Sequence, residues 1–231
     1  MTGPNPARGA GDILQTLVNC PRYYLGIDCR SNYSFYGVSM SVSNPVALDF
    51  LLTRRSHPLK TLDLPVPDTA ELTTLLTAAA RCPDHGKLEP WRFIVLQKPA
   101  LERLADLAEA RAVAAEMDAA QTAKARRQFD LGNLAVAVVE IRRSAERIPA
   151  IEQTYSAGAV CLGLVNAALA AGWGAGWLSG WLAHDRDFVE HGLGLNAKER
   201  VAGLIYLGTR TVTPPERPRP NIDAVTTWMA E

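Results

Sequence analysis

The sequence has no surplus of either charge, since 24 Lys and Arg residues offset 24 Asp and Glu. That removes both the basic stripe of a nucleic-acid binder and the acidic tail that would seek a basic partner. The four cysteines, Cys20, Cys29, Cys82 and Cys161, contain no CxxC pair and no regular framework. They fit a reducing, cytoplasmic setting better than a disulfide scaffold. The four histidines, His57, His85, His184 and His191, never fall at a metal-ligand spacing, so metal catalysis is not expected. No basic segment leads into a long apolar run with a small-residue cleavage site, which argues against a secretory signal.

What is present is apolar content: 48% of 231 residues, ample for the core of one domain. Residues 1–39 contribute little to it. Pro4, Pro6 and scattered Gly and Ser break any period, and the cluster Tyr23, Tyr24, Tyr33, Phe35 and Tyr36 has no strand pattern. This stretch reads as a disordered extension, with Met40 as the natural start and residues 40–231 as the folded domain.

Within that domain the punctuation is clear. Pro45 to Thr53 reads as a short helix running into Arg54-Arg55-Ser56. A Pro-rich connection leads to Asp68, the expected N-cap of a helix with Leu72, Leu75, Leu76 and Ala79 at helical spacing. Cys82-Pro83 stops it, because the residue before proline is pushed out of the α region. Trp91 to Leu96 reads as a buried strand. Pro99 opens a helix expected to pass Met117, and a basic helical face follows over Thr122–Asp130. A second buried strand covers Leu134 to Ile141, Asp185 to Glu190 a short helix, and Val201 to Gly208 a third strand.

Tyr155 to Leu178 is almost continuously apolar and long enough to span a bilayer. It is built of Ala and Gly rather than Leu and Ile, lacks positive flanks, and carries glycines that break its second half. Ser156 to Ala171 therefore reads as a helix apolar all round and buried in an assembly, with membrane insertion the weaker alternative. Gly172-Trp-Gly-Ala-Gly-Trp-Leu-Ser-Gly180 does not satisfy G-x-G-x-x-G and follows a helix. Its glycines are expected to permit a turn and a close backbone approach to a flat ligand. The Pro/Arg-rich stretch Pro214 to Pro220 cannot fold alone, and Asn221 to Trp228 reads as a terminal strand in need of a partner.

One polar loop stands between two core elements: Asp84, His85, Lys87 and Glu89, after the first long helix and before the Trp91 strand. Loops so placed often carry sites. Arg54-Arg55-Ser56, Pro83-Asp84-His85 with Pro90-Trp91-Arg92-Phe93, the Gly172–Gly180 segment and Leu207-Gly208-Thr209 occur in an order and spacing that resemble the nitroreductase family of flavoproteins. The likeness is to its small branch with Pro-Asp-His, and it covers residue 46 to the end.

The resemblance implies an α+β fold, a mixed but mainly antiparallel sheet sandwiched by helices. It further implies a homodimer that exchanges C-terminal strands, with FMN at the subunit interface. Arg54, Arg55 and Ser56 would then meet the phosphate, ribityl and ring of FMN. Arg219, or alternatively Arg217, would help to hold the phosphate. His85 and Glu89 would reach the flavin from the partner chain, with a loop histidine satisfied within its own loop as the weaker alternative for His85. Trp177, Leu178, Ser179 and Gly180 would line the flavin's other side, with Gly180 near the reactive N5. Lys87 and Glu89 depart from the Asn and Gln common in the family, and an ionised carboxylate can only accept.

The activity so implied takes hydride from NADPH or NADH to FMN and passes electrons to a nitroaromatic, quinone or similar small conjugated acceptor. The cofactor carries the chemistry, so no catalytic side chain is assigned. Rival readings are a non-catalytic flavin-binding or storage protein, and a specialised relative that acts on the flavin itself or on azolines.

Overall fold

The computed structural model describes residues 42–230, with the backbone also at 34–35 and 38–39. The chain divides into two compact units, Met1–Pro45 and Val46–Glu231. In the first, β1 (Ser34–Phe35) and β2 (Val38–Ser39) pair antiparallel through Ser34↔Ser39 and Phe35↔Val38. The remainder of the expected extension lies outside the described residues.

The second unit is built on a five-stranded sheet. At its centre, β5 (Leu134–Ile141) pairs with β4 (Trp91–Gln97) on one side and with β7 (Glu199–Arg210) on the other. The far edge of β7 is shared by β6 (Gly174–Leu178) and the short β3 (Leu62–Asp63). Every one of these pairings is antiparallel. The register of β5 on β7 slips between Val138 and Val139, where Ala202 is the extra residue of a bulge.

β5 is central because it is apolar on both faces. Ala135, Ala137 and Val139 pack with Leu101, Leu104, Phe129 and Phe188, from helices α3 (Lys98–Ala114), α4 (Ala119–Asp130) and α6 (Arg186–Leu193). Val136 and Val138 pack with Leu72, Leu75, Val160 and Leu164, from α2 (Thr69–Ala79) and α5 (Ala150–Ala170). A strand covered on both sides has no reason to alternate polar and apolar residues. The result is the expected helix–sheet–helix sandwich.

Several boundaries differ from the sequence reading. α3 stops at Ala114 rather than passing Met117; Glu116 takes a left-handed conformation (φ 53°), and Asp118 starts α4 with a capping box closed by Gln121. Asp118→Ala should cost about 0.5–2 kcal/mol, read as a lowered chemical denaturation midpoint with an unchanged slope.

α5 begins at Ala150, six residues before Ser156, because the polar side chains of its first turns have partners. Gln153 is buried and exchanges two hydrogen bonds with the Arg143 backbone, at 2.8 and 3.0 Å. Nor is the helix covered all round, since Ile151, Tyr155 and Leu162 remain exposed in the single chain. The short helix α1 (Pro45–Thr53) buries none of its side chains. Among the described residues, no helix is long and apolar enough to cross a membrane.

Two other stretches take their form from the fold. The Gly172–Gly180 segment is mostly strand: a turn at Gly172 leads into β6, and its glycines admit parts of the chain itself. A Cβ at Gly174 would lie 2.5 Å from the Leu62 side chain, and one at Gly176 would lie 2.5 Å from the His57 carbonyl. Asn221–Trp228, expected to form a strand only with a partner to pair with, contains in the single chain a 3₁₀ turn at Asp223–Val225.

α6 is fixed at its start by Asp185, which accepts the Phe188 N–H at 2.7 Å and grips Arg111 through two contacts of 3.0 Å. The Arg111 guanidinium is the main cause holding the Asp185 carboxyl below its usual range. A carboxylate with a depressed folded pKa stabilises fully above its unfolded pKa, about 4, and that contribution is lost as pH falls through the folded value. Thermal melts should therefore show wild type losing stability more steeply than Asp185→Asn below about pH 4. Parallel curves for the two proteins would contradict this linkage.

Candidate functional site

Residues 54–58 leave α1 as an extended segment stitched to β6 by the His57 N–H, which donates to Ala175 O at 2.8 Å. The absence of a side chain at Gly176 lets the His57 carbonyl approach. After β7, the Thr211 N–H donates to Thr61 O at 3.0 Å, and the proline-rich tail passes alongside this segment. Between the two runs lies a cleft of about 600 Å³. Arg54, Arg55, Ser56 and His57 form one wall, Trp177 and Leu178 another, and Pro214, Pro215, Arg217 and Arg219 the third.

Cationic charge dominates it. Arg54 Nη2 donates to Ser56 Oγ at 2.9 Å, while its buried Nε has no partner. Burial, followed by repulsion from Arg219 and Arg55, pushes the Arg54 pKa down. Arg55 pairs with Glu216 Oε2 at 2.9 Å, and Arg219 Nε donates to Glu216 Oε1 at 2.8 Å. Arg55, first among several causes, holds the Glu216 carboxyl below its usual range. His57 is buried with an unpartnered Nδ1; burial and then Arg210, Arg54 and Arg55 lower its pKa. Four arginines thus line the cleft, and the guanidinium groups of two of them, Arg55 and Arg219, pair with one carboxylate.

The apolar wall depends on a glycine across the sheet. A Cβ on Gly203 of β7 would lie 2.2 Å from Trp177 Nε1, so the indole lies where that side chain would be. Trp177 remains 41% exposed, an aromatic surface left open beside the arginines. Just beyond β6, Ser179 O accepts from Gln128 Nε2 at 3.3 Å, and Gly180 has φ 121°, a conformation that favours glycine.

The structure thus gathers Arg54, Arg55, Ser56, Trp177, Leu178, Arg217 and Arg219, with Ser179 and Gly180 next in the chain. It does not bring His85 or Glu89 into the cleft of the same chain. His85 Nδ1 lies 2.5 Å from Glu152 Oε2 on α5, and the Glu89 N–H donates to Asp84 Oδ2 at 2.7 Å. Both lie near the start of β4, where Pro90 O accepts from the Ile141 N–H, while the cleft lies toward the opposite end of β7. Sequence reasoning missed His57, although it follows the arginine triplet directly, and Glu216, which sat unremarked in the proline-rich tail. Among the described residues no group of three or more His, Cys, Asp or Glu gathers as a metal site.

The sequence pattern of the Nitroreductase family matches residues 51–209. The chain belongs to the nitroreductase family. The match takes in α1's end, the arginine triplet and the five-stranded sheet up to the penultimate residue of β7, and stops short of the tail arginines. A protein of Escherichia coli (strain K12) bearing the name "Putative NAD(P)H nitroreductase YdjA" is 34% identical over 163 residues, covering 71% of this chain and 87% of that one. A nitroreductase-like family protein from Bacillus cereus superposes with a TM-score of 0.68 at 21% identity, over 83% of this chain and all of that one. A nitroreductase-type protein from Desulfovibrio desulfuricans, solved in complex with FMN, superposes with a TM-score of 0.64 at 19% identity, over 82% of this chain and all of that one. These likenesses establish the nitroreductase fold of the chain.

Proposed function

We propose that this nitroreductase-family protein is an FMN-dependent oxidoreductase. It takes reducing equivalents from NADPH or NADH and delivers them to a nitroaromatic, quinone or other small conjugated acceptor. The observation that carries the reading is the pairing of a guanidinium-rich pocket with an open indole in one cleft. Arg54 carries a buried nitrogen without a partner and a pKa lowered by burial and its cationic neighbours, and a bound phosphate would relieve both. The cleft's volume is in the usual range for cofactor sites, about 300–1,000 Å³.

Arg54, Arg55 and Arg219, with Arg217 beside them, would hold the phosphate end, and Ser56 and Trp177 to Gly180 the remainder. When bound, the flavin supplies the hydride chemistry; the chain supplies charge, shape and exclusion of water. The relatives named for NAD(P)H and the neighbour solved with FMN support the assignment of donor and cofactor.

The site is completed, in this reading, by a second copy of the chain. The exposed stripe Ile151, Tyr155 and Leu162, the uncovered helix α1 and the exposed Trp228 and Met229 give apolar surface that a monomer would leave in water. The partner's loop would bring its own histidine and glutamate to the flavin, and its tail would add a strand. A cytoplasmic location suits the absence of a disulfide framework.

The purified protein, reconstituted with FMN, should be yellow. Anaerobic NADPH or NADH should bleach the flavin band, and a quinone or nitroaromatic should restore it. Failure to retain any flavin would overturn the reading, and flavin that no nicotinamide reduces would favour a storage protein. Sedimentation should show a dimer in the flavin-loaded state.

A further inference from the structure

Gln128, on α4, reaches the segment that leaves β6. Its Nε2 donates to Ser179 O, and its Oε1 lies 3.6 Å from where a Cβ on Gly180 would stand. Behind it is Tyr206, fully buried, whose hydroxyl makes no hydrogen bond of normal geometry. Burial raises the phenol's pKa, and the adjacent Gln128 side chain partly offsets that rise. The carboxamide therefore stands between a buried phenol and the backbone at the edge of the cleft.

A trans peptide is planar, with its C=O and N–H directed to opposite sides. Holding the Ser179 carbonyl toward α4 turns the Gly180 N–H away from α4. Side chains alternate along a strand. On β6, Leu178 packs on the face that carries α3 and α4, whereas Ala175 is buried on the face that carries α5. Trp177, two residues after Ala175, shares the α5 side. The Gly180 N–H is thus directed to the side of the sheet on which the open indole stands, and no acceptor among the described residues takes it.

We propose that Gln128 is a positioning residue of this site, fixing the Ser179–Gly180 peptide so that the Gly180 N–H is presented to the ligand in the cleft. The inference rests on the FMN reading above and adds to it a group outside the cleft. A hydrogen bond to the Ser179 carbonyl polarises the peptide and strengthens its N–H as a donor. Hydride addition turns the flavin N5 from an acceptor into an N–H, so a donor held beside it interacts differently with the oxidised and the reduced ring.

The test compares Gln128→Glu, which keeps the length but cannot donate, with Gln128→Leu, which removes the polar group. With FMN bound, both variants should hold the cofactor within about tenfold of wild-type affinity. At a fixed potential, each should shift the ratio of reduced to oxidised flavin by about two- to tenfold, the worth of one net hydrogen bond. Tenfold corresponds to about 30 mV in a two-electron couple. Without FMN, amide hydrogen exchange over residues 179–182 should be faster in both variants, while thermal melts confirm folding. A wild-type potential in the FMN-loaded variants, or unchanged exchange in the FMN-free ones, would overturn the proposal. Wild-type protein that retains no FMN would instead sink the functional reading, leaving the exchange measurement to decide the peptide's anchoring.

Discussion

Arg55→Ala should weaken FMN binding about ten- to a hundredfold. Each charge-assisted contact to a phosphate contributes about 1.5–3 kcal/mol. Arg55 is more exposed to loss than its neighbours because it also neutralises Glu216, at 2.9 Å. Removing it deletes a cation and leaves a carboxylate with only Arg219 to answer it, close to where the phosphate would sit. The protein should still fold, since this guanidinium faces the cleft rather than either apolar cluster. Riboflavin, which lacks the phosphate, should bind wild type and variant almost equally. Arg142→Ala serves as the control, because Arg142 lies near Glu140 at 3.6 Å and does not line the cleft. Fluorescence titration of both flavins into apo-protein decides the matter. Equal losses for FMN and riboflavin would mean that Arg55 does not read phosphate.

Gly176→Ala should damage stability and flavin binding together. The added methyl would stand 2.5 Å from the His57 carbonyl, a backbone atom that cannot rotate aside. β6 is held by β7 through a five-residue register, so the segment 54–58 must yield instead. That movement breaks the His57-to-Ala175 hydrogen bond and displaces Arg54 and Arg55 from the tail. Overpacking of this kind costs about 1–3 kcal/mol, which lowers the melting temperature by roughly 2–12 °C in a domain this size. Flavin affinity should fall as well, for riboflavin as for FMN, because the wall itself moves. A variant that melts and binds as wild type would show that the 54–58 segment is not held against β6 in the way described.

These two substitutions also mark how far the amino-acid order reaches. Arg55 was found as part of a contiguous triplet at the end of a helix, and a local pattern survives inspection of the sequence alone. Gly176 reads, with its neighbouring glycines, as permitting a turn and a close backbone approach to a ligand. An extended glycine beside another segment's carbonyl has the same local signature as a flexible one, and only the neighbour distinguishes them. Asp118 escapes for a related reason: a helix-forming run reads as passing Met117 until the cap four residues beyond Ala114 is seen closing on Gln121.

The sequence by itself determined the elements whose cause is local. The β-branched and aromatic runs at Trp91–Gln97 and Leu134–Ile141 form strands, and Asp68 caps the helix that follows it. Tertiary structure decided everything that depends on residues far apart in the chain. It placed Glu216 between Arg55 and Arg219, left Trp177 open over the space that Gly203 vacates, and set Gln128 against the Ser179 carbonyl. The physical reason is range: helix caps and strand propensities act over a few residues, whereas charge pairing and close packing act through space between segments that only the fold brings together.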